Sequence, residues 1–266
     1  MATLVGTPPN LIFAGVVEEI YGIEISFLQW FSFGFPVSIL LLFICWVYMS
    51  RFAFSLQGLK FEGGRAVIKT QLAELGPMSK QEKMVLAIFG LTAIAWVCRS
   101  FLLKKFIPEI DDTIIALIGA LLMFIVPSGK DGEKLLKWQE AVRLPWGVLL
   151  LFGGGIALAI GFENSGLAQW VGEQLHALQG VSIFILLLVI VATVNFLTEV
   201  TSNLATTTIL LPILAALAVI IGVHPFLLLA GATVAASCAF MLPVATPPNA
   251  LVFGSGYIQM NDMIRC

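Results

Sequence analysis

Apolar runs of membrane-crossing length alternate with short polar segments along most of the chain. Residues 31–49 read as a spanning helix, which Pro36 is expected to kink. Residues 84–103 and 113–126 read as two more, the second capped by Asp111 and Asp112. Residues 146–162 form another apolar helix. Residues 181–219 read as two apolar arms around a polar centre, made by Asn195, Thr198, Glu199, Thr201, Ser202, Asn203 and Thr206. The arms are rich in helix formers, so the centre is predicted to be the tip of a re-entrant hairpin at Ser202 and Asn203. The helix at 225–243 is predicted to break at 245–249 and resume through 257. The first apolar element, 1–15, is interrupted in the same way at 6–10.

Composition removes the soluble alternative. The chain is 59% hydrophobic and 11% charged, against roughly a quarter charged in soluble domains. No Asp, Glu, Lys or Arg occurs between Glu199 and Asp262, a gap that holds roughly three helices at about 20 residues per crossing. The expectation is an all-α polytopic membrane protein in a lipid bilayer. A net charge of -2 leaves no basic footprint for nucleic acid. Cys45, Cys98, Cys238 and Cys266 are far apart and have no Cys-x-x-C spacing, so inert thiols are expected rather than a disulfide framework or a zinc site.

Charge placement sets an orientation. Arg51, Lys60, Arg65, Lys69, Lys80 and Lys83 make 51–83 basic, and Lys130, Lys134, Lys137 and Arg143 do the same for 129–145. Two predicted spans separate these loops, which places both on the cytoplasmic side. The weaker cluster at 99–105 is offset by Glu109, Asp111 and Asp112, so 104–112 is expected outside. The triplet Gly153-Gly154-Gly155 is expected to permit close helix packing. His176 and His224 have no partner at metal or triad spacing and are expected to be structural or interfacial.

The chemistry-bearing feature is a repeat. Gly6-Thr7-Pro8-Pro9-Asn10 returns as Ala245-Thr246-Pro247-Pro248-Asn249, each copy inside an apolar helix. Paired prolines remove backbone donors and leave carbonyls without partners. Lipid cannot satisfy those groups, so each break must face protein, water or ions. Freed carbonyls are hard oxygen ligands suited to sodium, and the Asn is expected to start a half-helix with a positive N-terminal end. Two oppositely oriented broken helices are the pattern of a midplane site in a secondary transporter. At the hairpin, hydroxyl and backbone oxygens suit sodium and the Asn203 amide suits a carboxylate. Glu199, the one acid there, is expected to brace the hairpin through backbone amides rather than to bind a cation.

The run Ser237-Cys238-Ala239-Phe240-Met241-Leu242-Pro243-Val244-Ala245-Thr246-Pro247-Pro248-Asn249-Ala250-Leu251-Val252 resembles the signature of the divalent anion:sodium symporters, the dicarboxylate and sulfate transporter family. Residues 198–208 resemble its second Ser-Asn-Thr hairpin tip, and residues 6–10 its first-repeat counterpart. The resemblance implies an inverted-repeat transporter in which each repeat has a re-entrant hairpin and an unwound helix. It implies elevator-type sodium-coupled transport, a homodimer when full length, and the plasma (inner) membrane. Carried over by position, it implies sodium near Thr198, Thr201, Asn203 and Ala245, with Gly6 serving a second ion. It implies an anionic substrate at Ser202, Asn203, Thr246 and Pro247, and at Thr7 and Pro8. No cofactor is implied beyond the sodium ions.

Leu204 departs from the family's pattern, standing where it often has Thr, and this opens the identity of the anion. The expected substrates are di- or tricarboxylates such as succinate, malate or citrate. The alternatives are a sulfate or other inorganic-anion symporter, a sodium-independent exchanger, and a non-transporting fragment. No first Ser-Asn-Thr hairpin occurs in the sequence, so the chain is expected to be partial. Residues 1–50 would end the first repeat, 51–83 form a cytoplasmic linker, and 84–266 make most of the second repeat.

Overall fold

The structure, a computed structural model, describes residues 1–54, 64–129, 133–143, 146–167, 170 and 181–265. Expectations for Lys60, Lys130, His176 and Cys266 lie outside the described residues. So do the side chains of Arg65 and Pro247. Among the described residues the chain is helical and has no strand, only an isolated bridge between Pro127 and Lys134. The helices are α1 (Pro8–Tyr21), α2 (Phe27–Tyr48), α3 (Gly64–Leu75), α4 (Lys80–Cys98), α5 (Lys104–Phe106), α6 (Asp112–Ile125), α7 (Trp138–Ala141) and α8 (Trp146–Asn164). They continue as α9 (Ile183–Val200), α10 (Asn203–Ile221), α11 (Pro225–Ala236), α12 (Pro247–Gly254) and α13 (Met260–Ile264).

Among the described residues, four helical stretches are long and apolar enough to cross a membrane: Phe27–Ala53, Lys80–Phe106, Ile183–Val200 and Asn203–Ile221. Their exposed faces carry large apolar side chains such as Leu42, Phe43, Phe89, Phe184 and Leu188, which water would not tolerate and hydrocarbon does. The protein is an integral membrane protein. The α6 helix is shorter than expected for a span. Its 14 residues rise about 21 Å against a ~30 Å core, so the expected crossing is met in composition and not in helix length.

The chain divides into two units, one of Met1–Ile25, Gln29–Ala53 and Pro145–Cys266, the other of Ser26–Leu28 and Phe54–Leu144. In the first unit α11 packs against both α9 and α10, while α1 and α8 pack on α10. The centre holds Val17, Leu211, Ala218, Leu228, Leu229 and Ala236, all fully buried. Gly231 lets α9 approach closely, since a Cβ there would stand 2.9 Å from Leu187 Cδ1. In the second unit α4 packs on α6, where Gly119 leaves room for Thr92.

Several boundaries differ from the sequence reading. The α4 helix begins at Lys80 rather than 84, fixed by a capping box in which Ser79 Oγ accepts from Glu82 N and Ser79 N donates to Glu82. The polar segment 51–83 contains the unanticipated helix α3, whose Ile68, Leu72 and Leu75 form an exposed apolar stripe. Gly153 and Gly154 are exposed, and a Cβ on either would meet nothing within 4 Å. The surroundings of Gly155 lie outside the described residues, and close approaches are made at Gly119 and Gly231.

Arg99 is not a loop charge. It is 1% exposed and lies with Nε 2.8 Å from Asp112 Oδ1, an ion pair whose N–H direction is off the hydrogen-bond line. Asp112 Oδ2 accepts from Phe27 N at 2.8 Å, and the Asp112 carbonyl accepts from Trp96 Nε1 at 2.9 Å. One residue thereby ties the start of α2 and the end of α4 to the start of α6.

Candidate functional site

The two proline breaks have the same local construction. Thr7 and Thr246 are both extended N-caps, at φ -144 ψ 145 and φ -143 ψ 153, and in each copy the prolines occupy the first two helical positions. There a missing N–H costs nothing, because the first turn of a helix has no intrahelical partner for it. The half-helix therefore starts at the prolines. The expectation that Asn starts it is corrected: Asn10 and Asn249 sit inside the first turn and reach backwards.

That backward reach repeats from copy to copy. Asn10 Nδ2 donates to the carbonyls of Thr3 at 2.8 Å and Met1 at 3.3 Å. Asn249 Nδ2 donates to the carbonyls of Leu242 and Ala239, both at 3.0 Å. Gly6 N donates to Thr3 O at 3.0 Å, and Ala245 N donates to Leu242 O at 3.2 Å. Each Asn thus pins the irregular backbone ahead of its own helix. Asn10 is 1% exposed and its Oδ1 has no hydrogen-bond partner among the described residues.

The second break is wider than expected. The α11 helix ends at Ala236 and not near 243, for a tertiary reason. The Glu199 carboxylate, 4% exposed, accepts from Phe240 N at 2.8 Å, Met241 N at 3.0 Å and Leu242 N at 2.9 Å. A continuing helix would need those three donors. A carbonyl is claimed as well: Asn195 Nδ2 donates to Cys238 O at 3.4 Å, while Thr198 Oγ1, whose one proton goes elsewhere, stands 3.4 Å from Ala236 O. Glu199 braces through backbone amides as expected, but those amides belong to the unwound segment at 240–242 and not to the hairpin itself.

At the turn between α9 and α10, Thr198 Oγ1 donates to Asn203 Oδ1 at 2.7 Å, and Thr201 and Thr206 share a hydroxyl–hydroxyl bond. Thr207 Oγ1 donates to Asn203 O at 2.6 Å. Ser202 is the exposed N-cap of α10 and makes no side-chain capping bond. Thr246 Oγ1 caps α12 by accepting from Asn249 N at 3.4 Å. Ala245 is buried, whereas Gly6 and Pro8 are exposed. Thr7 Oγ1 bonds Ser237 Oγ at 3.2 Å, which joins the first break to the unwound segment of the second.

The structure thus brings Thr198 to Asn203, Thr201 to Thr206, and Thr7 to Ser237. Among the described residues no hydrogen bond joins Ser202 or Asn203 directly to Thr246. The segment between α11 and α12 is held by Glu199 of α9 on one side and by Asn249 of α12 on the other. Sequence reasoning gave no hydrogen-bonding role to the side chains of Asn10, Asn195, Ser237 or Asn249. A usable signal was present in both copies, an Asn two residues into a helix opened by two prolines.

Chemically the place is rich in hydroxyl, amide and carbonyl oxygens and holds no Lys or Arg. Its acid, Glu199, is already offset by three N–H donors. No group of three or more His, Cys, Asp or Glu side chains arranged for a metal occurs among the described residues. Such a donor set suits a hard monovalent cation, and the N-termini of α1, α10 and α12 suit an anion. An open groove of about 420 Å³ in the other unit is lined by Val85, Leu86, Phe89 and Leu135 with Gln81, Glu82 and Ser128 beside them.

A family model described as the sodium:sulfate symporter transmembrane region matches residues 1–266. A sodium-dependent dicarboxylate transporter, SdcS, of Staphylococcus saprophyticus subsp. saprophyticus is 48% identical over 268 residues, covering 99% of this chain and 51% of that protein. The protein of the same name from Staphylococcus aureus strain USA300 is 50% identical over 268 residues, again 99% and 51%. The chain spans about half the length of these curated relatives.

Proposed function

Since the chain belongs to the sodium:sulfate symporter family, we propose that it carries one sodium site and much of the substrate site of a sodium-coupled transporter of C4-dicarboxylates and related di- and tricarboxylates. One observation carries this reading: two breaks that share Thr-Pro-Pro-Asn are each pinned by an Asn amide reaching back to two carbonyls ahead of its helix, and the unwound segment of the second break bonds Thr7 of the first. In the proposed mechanism, sodium binds between Thr198, Thr201, Asn203 and the Ala245 carbonyl, and a second ion uses Gly6. The charge so gained, with the ends of α10, α12 and α1, holds a carboxylate pair at Ser202, Asn203, Thr246 and Pro247 and at Thr7 and Pro8. No basic side chain is then needed, and the unloaded site repels nothing that the coupling ion does not first offset.

The wider assembly belongs to the same proposal: inverted repeats with α9 and α10 as a re-entrant hairpin, elevator-type movement, a homodimer, and the plasma membrane. The orientation, with 51–83 and 129–145 cytoplasmic, is proposed as well. The names of the relatives and the hard-oxygen donor set support dicarboxylate and sodium. Leu204, 6% exposed where the family often has Thr, supports keeping sulfate or another inorganic anion as the second reading.

The test is Asn203→Ala in a polypeptide of the relatives' full length that carries these residues. Both sodium activation and succinate affinity are expected to weaken, because Asn203 serves both ligands. Normal uptake with unchanged sodium dependence would make the turn a packing feature.

A further inference from the structure

We propose that Glu199 is a positioning residue that sets the affinity of the sodium site without contacting the ion. The inference rests on the sodium-coupled reading above. Three successive backbone N–H groups, of Phe240, Met241 and Leu242, converge on its carboxylate at 2.8, 3.0 and 2.9 Å. Only an acceptor with two oxygens serves three donors at once, and about four lone-pair sites exist to do it. With three of them occupied and the side chain 4% exposed, the carboxylate has little left for a cation.

What Glu199 holds is the path to the site. Leu242 donates its N–H to Glu199, and its carbonyl accepts from both Ala245 N at 3.2 Å and Asn249 Nδ2 at 3.0 Å. A single residue thus links the Glu199 carboxylate to Ala245 and to the first turn of α12. The neighbour of Glu199 on α9 is Thr198, whose hydroxyl bonds Asn203 at 2.7 Å across the turn. Adjacent residues of one helix therefore fix the two walls between which the ion is proposed to sit. If the 240–242 segment loosens, Ala245 is in place only part of the time, and apparent affinity falls by that fraction.

Substitution separates positioning from ligation. In Glu199→Gln an NH2 group faces an N–H that it cannot accept, so at least one donor of the three is orphaned. Glu199→Asp keeps the charge and both acceptors but is one methylene short. The reporter is Cys238, a partly exposed free thiol whose carbonyl accepts from Asn195 in the same segment. Cys45, Cys98 and Cys266 are replaced by serine, and alkylation of Cys238 by N-ethylmaleimide is followed in detergent against sodium, with choline holding ionic strength constant.

Sodium is expected to slow alkylation. Glu199→Gln is expected to raise the sodium concentration for half protection about tenfold and Glu199→Asp about threefold, from one poorly made charged hydrogen bond. Saturating sodium restores full protection in both, which a misfolded chain would not show. Glu199→Asp carries the test if Glu199→Gln does not fold. Half protection at the wild-type concentration in both variants overturns the positioning role and leaves the sodium reading standing. Loss of protection at every sodium concentration, with native helix content, overturns it in favour of direct ligation. No sodium effect on the parent chain removes the sodium reading and the inference together.

Discussion

Replacing Asp112 tests the packing of the second unit in a single step. Arg99 is 1% exposed and Asp112 22%, and they stand 2.8 Å apart. In Asp112→Ala the buried guanidinium loses the carboxylate 2.8 Å from its Nε, and Phe27 N loses the acceptor it has at 2.8 Å. Breaking a buried pair by removing one partner costs about 3–5 kcal/mol. Some water reaches Asp112, so the lower end applies, about 3 kcal/mol or a factor of roughly a hundred in the unfolding equilibrium. Asp112→Asn keeps an oxygen for Phe27 N but not the charge and should lose most of the same amount. The double variant Arg99→Met with Asp112→Asn removes the buried charge while keeping that oxygen. It should recover to within about 1 kcal/mol of the parent. Reversible unfolding by sodium dodecyl sulfate in mixed micelles, followed by circular dichroism, gives the three values. Asp112→Asn as stable as the parent, or a double variant less stable than the single one, would refute the reasoning.

Other outcomes follow from the same geometry. Asn249→Ala and Asn10→Ala each delete two side-chain bonds to unwound carbonyls and should each destabilise by about 1–3 kcal/mol; thermal unfolding in detergent checks this, and an effect from one copy alone would show that they are not equivalent. A cysteine at Lys69, on exposed helix α3, should react with an impermeant thiol reagent in inside-out vesicles and not in intact cells; labelling from outside would reverse the orientation. Gly231→Leu should disrupt the packing of α9 on α11, since even a Cβ stands 2.9 Å from Leu187; unchanged thermal stability would contradict that close approach.

What the sequence made legible is what backbone rules govern. Thr-Pro-Pro-Asn announces a break because proline has no N–H, and that argument needs no partner. The turn at residues 201–202 was legible because polar residues stood between apolar arms. The end of α11 at Ala236 was not, because it depends on Glu199, distant in sequence, taking three donors. Arg99 was read as a loop charge because it sits beside Lys104 and Lys105, while its burial depends on Asp112 across a chain reversal. The triplet at 153–155 suggested close packing by composition alone, yet a Cβ at Gly153 or Gly154 would meet nothing within 4 Å, whereas the single glycines Gly119 and Gly231 do stand at close approaches. Helix α3 was missed although Ile68, Leu72 and Leu75 have helical spacing, because the basic residues around it made the segment read as loop.

The central claim is that this chain belongs to a carrier that moves dicarboxylate only with sodium. Uptake of labelled succinate into proteoliposomes tests it most directly, using a polypeptide of the relatives' full length that carries these residues. An inward sodium gradient should drive saturable uptake that excess unlabelled succinate abolishes and excess sulfate does not, and choline in place of sodium should remove it. Equal uptake in sodium and choline, or inhibition by sulfate alone, would contradict the account.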